Sequence, residues 1–294
     1  MQARLTITSP LGDVTEKLIG NTAIIGRGSS VHVRLPGDPQ VSRYHALLRC
    51  FNGYQYQLVD LGSRNGSHVG SSLVVTPAQL SDEAYLRIGD HEIFLQALHA
   101  TSDDMGMTMD GSSYIDVAVM VMGIPDFSEI QTTYPPMQVA QQLGTWNRNL
   151  YSYMGQCGGT PDKFVKDSMV AFWKEHPLEV LVPHVLAVAH EVLKYGRSNE
   201  WAPGHPFKIC CAIHTGKVAL GMTSGNDPDE PLIGGAVNAA LKLQDAASKQ
   251  DHPIVISEAA RNLAGPSAQA QLQEVGFAEI GGREFSTKMF GFVP

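Results

Sequence analysis

The sequence predicts two domains of different class, an all-β sandwich ahead of an α/β domain, and three observations predict it. Residues 3–98 run as short alternating segments with turn residues roughly every ten positions. Residues 99–113, HATSDDMGMTMDGSS, drop any period and collect Asp, Ser, Gly and Thr, as linkers do. From residue 114 onward, continuous apolar runs alternate with stretches of helical spacing. The domains are therefore placed at 1–98 and 114–294, with 99–113 between them.

In the first domain the expected strands are ARLTIT, TAIIG, VHVRL, HALLRC, YQYQLVDL, SHVG, LRIGD and HEIFLQAL. The second opens on a buried strand, IDVAVMVMGI (115–124), followed by a helix around 135–154, a strand near Ser168–Trp173 and a helix from about Pro183 to Tyr195. FKICCAIH (207–214) and KVALGM (217–222) read as two strands joined by a tight turn at Thr215-Gly216. A helix at about 235–249, a strand at 254–257 and a closing strand pair near 276–293 complete the order.

With 294 residues, 43% hydrophobic and 17% charged, the chain has apolar material for two modest cores and too little charge for disorder. No apolar run approaches a membrane span, and MQARLTITSP lacks the layout of a signal peptide, so a cytoplasmic protein without membrane insertion is expected. Cys50, Cys157, Cys210 and Cys211 show no metal-ligand spacing and read as buried thiols. The net charge of −8 lies wholly in the second part. Residues 1–100 balance eight Lys/Arg against eight Asp/Glu, and residues 101–294 carry 13 against 21. Nucleic acid is thus a poor partner. Seven of the eight cations in the first hundred residues are arginine, whose planar fork suits a discrete phosphate or carboxylate.

Four segments of the first domain belong together: IIGR (24–27), VSRYHA (41–46), LVDLGSRNG (58–66) and HVG (68–70). In this order and spacing they resemble a forkhead-associated (FHA) domain, a β-sandwich whose loops bind phosphothreonine peptides. The resemblance implies that Arg27 and Ser42 hold the phosphate oxygens, that Asn65 grips the peptide backbone, and that Arg43 and Arg64 add charge or select flanking residues. His45 is assigned an internal brace. Read alone, Asn65-Gly66 is equally a type I′ turn.

In the second domain KICCAIHTGKVALG (208–221), LIGGAVNAALKLQDAAS (232–248) and IVISEAA (254–260) are similar to the class III adenylate/guanylate cyclase catalytic domain. That resemblance implies a ferredoxin-like α/β fold and a head-to-tail dimer in which two carboxylates hold two divalent cations against a nucleoside triphosphate. The first carboxylate position falls on Gly123, so that ligand is missing. The second falls on Asp167, preceded by Lys166 where the family usually has glycine. Lys163 matches the base-contacting lysine, its partner position is Pro231, Asn238 matches the ribose-orienting asparagine, and Lys242 stands where the family has arginine. Asp126 lies an odd three residues past Gly123, on the other strand face unless Pro125 bends the chain.

These losses suggest a cyclase fold without its chemistry, with no cofactor or metal assigned. Lys163, Lys166, Asp167 and Asn238 read otherwise as surface charges, a turn residue and a helix cap. His214 is expected to pack or brace, and His184, His190 and Glu191 lack the order of a zinc hydrolase motif. The combined expectation is a bacterial-type signalling adaptor: a phosphothreonine-protein reader with a cyclase-like domain that dimerises or binds a ligand. The alternatives are an active cyclase governed by phosphoprotein binding, and a receptor for a cyclic mono- or dinucleotide.

Overall fold

In the computed structural model, which describes residues 2–29, 31–51, 55–98, 114–202, 204–220, 232–233, 235–249, 252–280 and 285–292, period-2 alternation governs the N-terminal strands. Strand β1 (Gln2–Thr8) buries Ala3, Leu5 and Ile7 and turns the residues between them outward. The expected linker at 99–113 and Pro231 lie outside the described residues, as does the side chain of Lys163. The chain forms two compact units. One takes in the described part of residues 1–112 with residues 129–149, the other residues 113–128, 150–220 and the described part of 232–294.

The first unit is a sandwich of two sheets. Strands β1, β2 (Val14–Ile19), β7 (Ser67–Val69), β8 (Ser72–Leu73), β10 (Glu83–Ile88) and β11 (His91–Leu98) form one sheet in the order β2-β1-β11-β10-β7-β8. The other, β4-β3-β5-β6-β9, is built from β3 (Thr22–Gly26), β4 (Val33–Arg34), β5 (Ala46–Phe51), β6 (Gln55–Asp60) and β9 (Ala78–Gln79). Leu5, Ile25, Leu48, Leu58, Leu86 and Ile93 meet between them. Edge strand β2 was not among the expected strands. Only Ile19 of its six residues is buried, so it carries no alternation to read.

Backbone hydrogen bonds tie the loop after β3 to the loop before β5, Arg27 N–H to the Ser42 carbonyl (3.0 Å) and Gly28 N–H to that of Arg43 (3.1 Å), and Leu61 N–H to the His45 carbonyl (2.9 Å) adds the loop after β6. Gly26 makes this approach possible, because a Cβ there would stand 2.2 Å from the Arg43 carbonyl oxygen.

In the second unit β12 (Tyr114–Gly123) is an interior strand of a sheet ordered β13-β14-β12-β17-β19-β21-β20. Its partners are β13 (Thr160–Val165), β14 (Ser168–Trp173), β17 (Cys210–Leu220), β19 (Ile254–Ser257), β20 (Leu272–Ile280) and β21 (Phe285–Phe292), with β18 (Leu232–Ile233) on β17 and a separate ribbon of β15 (Glu200–Ala202) and β16 (His205–Pro206). Helices are α1 (Phe127–Thr133), α2 (Pro136–Gln156), which passes from one unit into the other, α3 (Leu178–Arg197), α4 (Gly235–Ala247), α5 (Glu258–Leu263) and α6 (Pro266–Gln269). Burial of β12 on both faces explains its unbroken apolar run.

Two expectations are corrected here. Thr215-Gly216 is no turn: β17 runs continuously and pairs with β12 from Cys210 opposite Gly123 to Ala219 opposite Tyr114. Gly216 serves packing, since its Cβ would stand 3.1 Å from that of Ala236 at the start of α4. Helix α3 begins at Leu178 rather than Pro183. Burial of Leu181, Val182, Val185 and Leu186 outweighs the interior proline's cost of about 3 kcal/mol. Helix α4 buries Ala236, Val237, Ala240, Leu243 and Gln244 against β12 and β17, leaving Asn238, Lys242 and Asp245 on its outer face.

Candidate functional site

Arg27, Ser42, Arg43 and Arg64 line one cavity of about 220 Å³ at the loop end of the sandwich, together with Pro39 and Val41. The three arginines are exposed and Ser42 is half-buried. Ser42 Oγ accepts the Arg64 backbone N–H at 3.1 Å, which leaves its own proton to donate. Asn65 is half-buried beside them. Its Nδ2 donates to the Gln40 carbonyl at 2.9 Å and so fastens the loop after β6 to the loop before β5.

His45 is fully buried beneath this cavity: its Nδ1 accepts from Ser42 N–H at 3.0 Å and its Nε2–H donates to the Gly66 carbonyl at 3.2 Å. Burial holds its pKa below the ordinary histidine value and keeps it neutral. Asp60, also buried, accepts from the Ser63 N–H, the Ser63 hydroxyl and the Ser67 hydroxyl. Asp60 and Ser63 were missed in the sequence, although Asp followed three residues later by Ser and Gly is a recognisable turn signal. The result is a cup of cationic side chains carried on loops.

The second unit brings a different cluster together. Lys166 and Asp167 form the two-residue turn between β13 and β14, closed by the Val165–Ser168 pair, and Lys166 adopts φ +55. Asp167 Oδ2 accepts the Ile124 backbone N–H at 2.9 Å, beside the end of β12. Burial raises the Asp167 pKa, and the charge of Asp245 adds to this, against the opposing pull of the Ile124 and Asp167 N–H groups and Lys166.

Where the first carboxylate would project, the space beside Gly123 holds Gln244 and Ser168. A Cβ on Gly123 would stand 2.3 Å from Gln244 Nε2 and 2.5 Å from Ser168 Oγ. Gln244 Nε2 donates to Cys210 Sγ at 3.3 Å, and burial pushes the Cys210 thiol up to about 11. Neither Gln244 nor Ser168 could be picked out from spacing, because both reach Gly123 from other elements.

Asp126 lies past the end of β12 with φ +56, in a turn with Pro125, the exception the sequence allows, and lines a separate groove with Arg197 and Lys208. Lys163 lies on β13 opposite Val170. His214 is half-buried, its Nδ1 lies 2.8 Å from Ser257 Oγ, and burial lowers its pKa to about 4. No group of three or more His, Cys, Asp or Glu side chains converges as a metal site among the described residues. Nor is any helix among them long and apolar enough to cross a membrane.

Comparison with known proteins places both units. Residues 23–89 match the FHA domain, and residues 109–293 match the adenylate and guanylate cyclase catalytic domain. The photoactivated adenylate cyclase subunit alpha of Euglena gracilis is 22% identical over 138 residues, 46% of this chain but 13% of that protein's length. The adenylyl cyclase CyaB from P. aeruginosa superposes with a TM-score of 0.52 at 21% identity, over 63% of this chain and 96% of that one, a likeness of fold. The FhaA FHA domain, solved with the intracellular domain of Rv3910, is 35% identical over 32% of this chain and 99% of its own, with a TM-score of 0.28. The chain thus belongs to the adenylate and guanylate cyclase catalytic domain family, with an FHA domain ahead of the cyclase homology domain.

Proposed function

We propose that this protein is a phosphothreonine-reading adaptor whose cyclase homology domain makes no cyclic nucleotide. The reading is carried by one observation, the gathering of Arg27, Ser42, Arg43 and Arg64 around a single small cavity. Two or three charge-assisted hydrogen bonds of about 1.5–3 kcal/mol each yield micromolar peptide affinity after ordering costs. The cyclase homology domain dimerises and makes peptide capture bivalent, which raises avidity through effective concentration.

Loss of the Gly123 carboxylate supports the inactive reading. A single carboxylate, itself engaged by the Ile124 N–H, is a weak magnesium site. The test has two arms. Fluorescence anisotropy against a phosphothreonine peptide library gives capture by the wild type and none by Arg27→Ala; equal capture by both refutes the reader assignment. Incubation with ATP or GTP and Mg²⁺ or Mn²⁺ gives no cyclic product; turnover that vanishes in Asp167→Ala refutes the inactive assignment.

A second reading, a divergent active cyclase, draws on Asn238 and Lys242. They sit one turn apart on the outer face of α4, open to a ribose and a phosphate brought by a nucleotide. The turnover assay separates the two readings, and calorimetry with ATP, cAMP and a cyclic dinucleotide tests the separate alternative of a cyclic-nucleotide receptor.

A further inference from the structure

One groove of the second unit is lined by neither Asn238 nor Lys242. It encloses about 630 Å³ where the loop after β12, the end of α3, the start of β17 and the loop between α4 and β19 come together. Its floor is apolar and firmly built. Phe207 and Ile209 are buried, the Phe207 ring stacks on Trp201 at 4.3 Å, and the Ile209 side chain lies in the space left by the missing Cβ of Gly196. Its rim is cationic, with Arg197, Lys208 and Lys249 all exposed and His252 half-buried.

This concentration runs against the composition. Residues 101–294 carry eight more acidic than basic groups, yet three cations from three separate segments border one groove, against Asp126 as its carboxylate. Among the described residues none of the three makes an ion pair or a side-chain hydrogen bond. Arg197 closes the last turn of α3 and Lys249 follows α4, where a cation gains from the helix dipole, but Lys208 precedes a strand and has no such reason to be there. His252 Nδ1–H donates to the Phe292 carbonyl at 3.2 Å, which fixes the ring and leaves Nε2 as its free edge.

We infer that this groove binds a small organic phosphate, with the phosphoryl group between Arg197, Lys208 and Lys249 and the organic part over Phe207, Pro206 and Pro253. A phosphate dianion offers acceptors to all three cations at once, whereas a carboxylate is saturated by one arginine fork. The site is distinct from the FHA cavity and does not depend on whether the cyclase homology domain turns over nucleotide.

The test is calorimetric titration of the full chain carrying Arg27→Ala, which silences the FHA cavity, with phenyl phosphate in EDTA. Benzoate serves as the carboxylate with the same ring. Expected are a phenyl phosphate affinity of roughly 0.1–1 mM and much weaker benzoate binding. Adding Arg197→Ala and Lys208→Ala weakens phenyl phosphate about tenfold or more, and adding Asp126→Asn tightens it by removing the opposing charge. Absence of binding, indifference to the Arg197 and Lys208 changes, weakening by Asp126→Asn, or benzoate binding as tight as phenyl phosphate would each overturn the inference. All three substituted residues are exposed, and unchanged thermal unfolding confirms that the fold is intact.

Discussion

Gln244 stands in the space that a side chain on Gly123 would need: its Nε2 lies 2.3 Å from where a Cβ would be and is held there by donating to Cys210 Sγ. The obstruction is the end of a flexible side chain, so Gly123→Asp is accommodated by rotating Gln244 and Ser168 aside. The restored carboxylate then lies near Asp167 and Asp245, with Lys166 as the cation acting on Asp167. Gly123→Asp is expected to destabilise the protein by about 1–3 kcal/mol. Mn²⁺ at ten times its Kd restores about 1.4 kcal/mol to the variant and leaves the wild type unmoved. Thermal unfolding with and without Mn²⁺ reads both; a wild type stabilised equally by Mn²⁺ would show that Asp167 alone suffices.

Lys166 occupies a left-handed backbone position in a two-residue hairpin turn, where glycine carries no Cβ penalty. Relief of about 1–2 kcal/mol of strain, less the greater chain entropy of glycine, predicts that Lys166→Gly stabilises by about 0.5–1 kcal/mol. The same change removes a positive charge that favours ionised Asp167, so its already raised pKa climbs further. Urea unfolding measures the first effect and a carboxyl NMR titration the second. A lower urea midpoint in the variant would mean that the Lys166 side chain makes a stabilising contact larger than the strain.

What the sequence discloses and what it conceals divide along physical lines. The run from Val117 to Met122 and the spacing of Ala236, Val237, Ala240 and Leu243 are local patterns, and both elements form where those patterns lie. Thr215-Gly216 misleads because a glycine that admits a neighbouring helix and one that permits a turn look alike until the packing is known. That Arg27, Arg43 and Arg64 share one end of the sandwich is legible through their motif, since the loops that carry them are short and fixed by neighbouring strands. Gln244 and Ser168 are not, because their closeness to Gly123 arises from a helix laid on a sheet and a strand paired in register.

Ser42 accepts the Arg64 N–H and keeps its own hydroxyl proton, which under the proposed reading goes to the phosphate. Ser42→Ala removes both, and a lost hydrogen bond to a charged group costs about 1.5–3 kcal/mol. Phosphothreonine peptide affinity is expected to fall roughly tenfold or more. Stability changes by less than about 1 kcal/mol, because Arg64 lies on an exposed loop where water replaces the serine oxygen. Anisotropy and urea unfolding on the same preparation separate these outcomes. Undiminished peptide binding would remove Ser42 from the site.

His214 links the β17 strand to Ser257, whose hydroxyl also caps α5 by accepting the Ala260 N–H. Burial holds the imidazole neutral down to about pH 4, well under its unfolded value of about 6.5. Between those two values the unfolded chain takes up a proton that the folded chain refuses, so stability is full above about pH 6.5 and declines as pH falls toward 4. The sign follows from the linkage relation, in which stability rises with pH wherever the unfolded state binds more protons. The loss is on the order of 3 kcal/mol at pH 4. His214→Gln has nothing to titrate and can still hydrogen-bond Ser257. Urea unfolding from pH 7 to pH 4 should therefore give a flatter stability profile for the variant than for the wild type. Parallel profiles would assign the acid sensitivity to other groups, such as buried His45, whose pKa is lowered in the same direction.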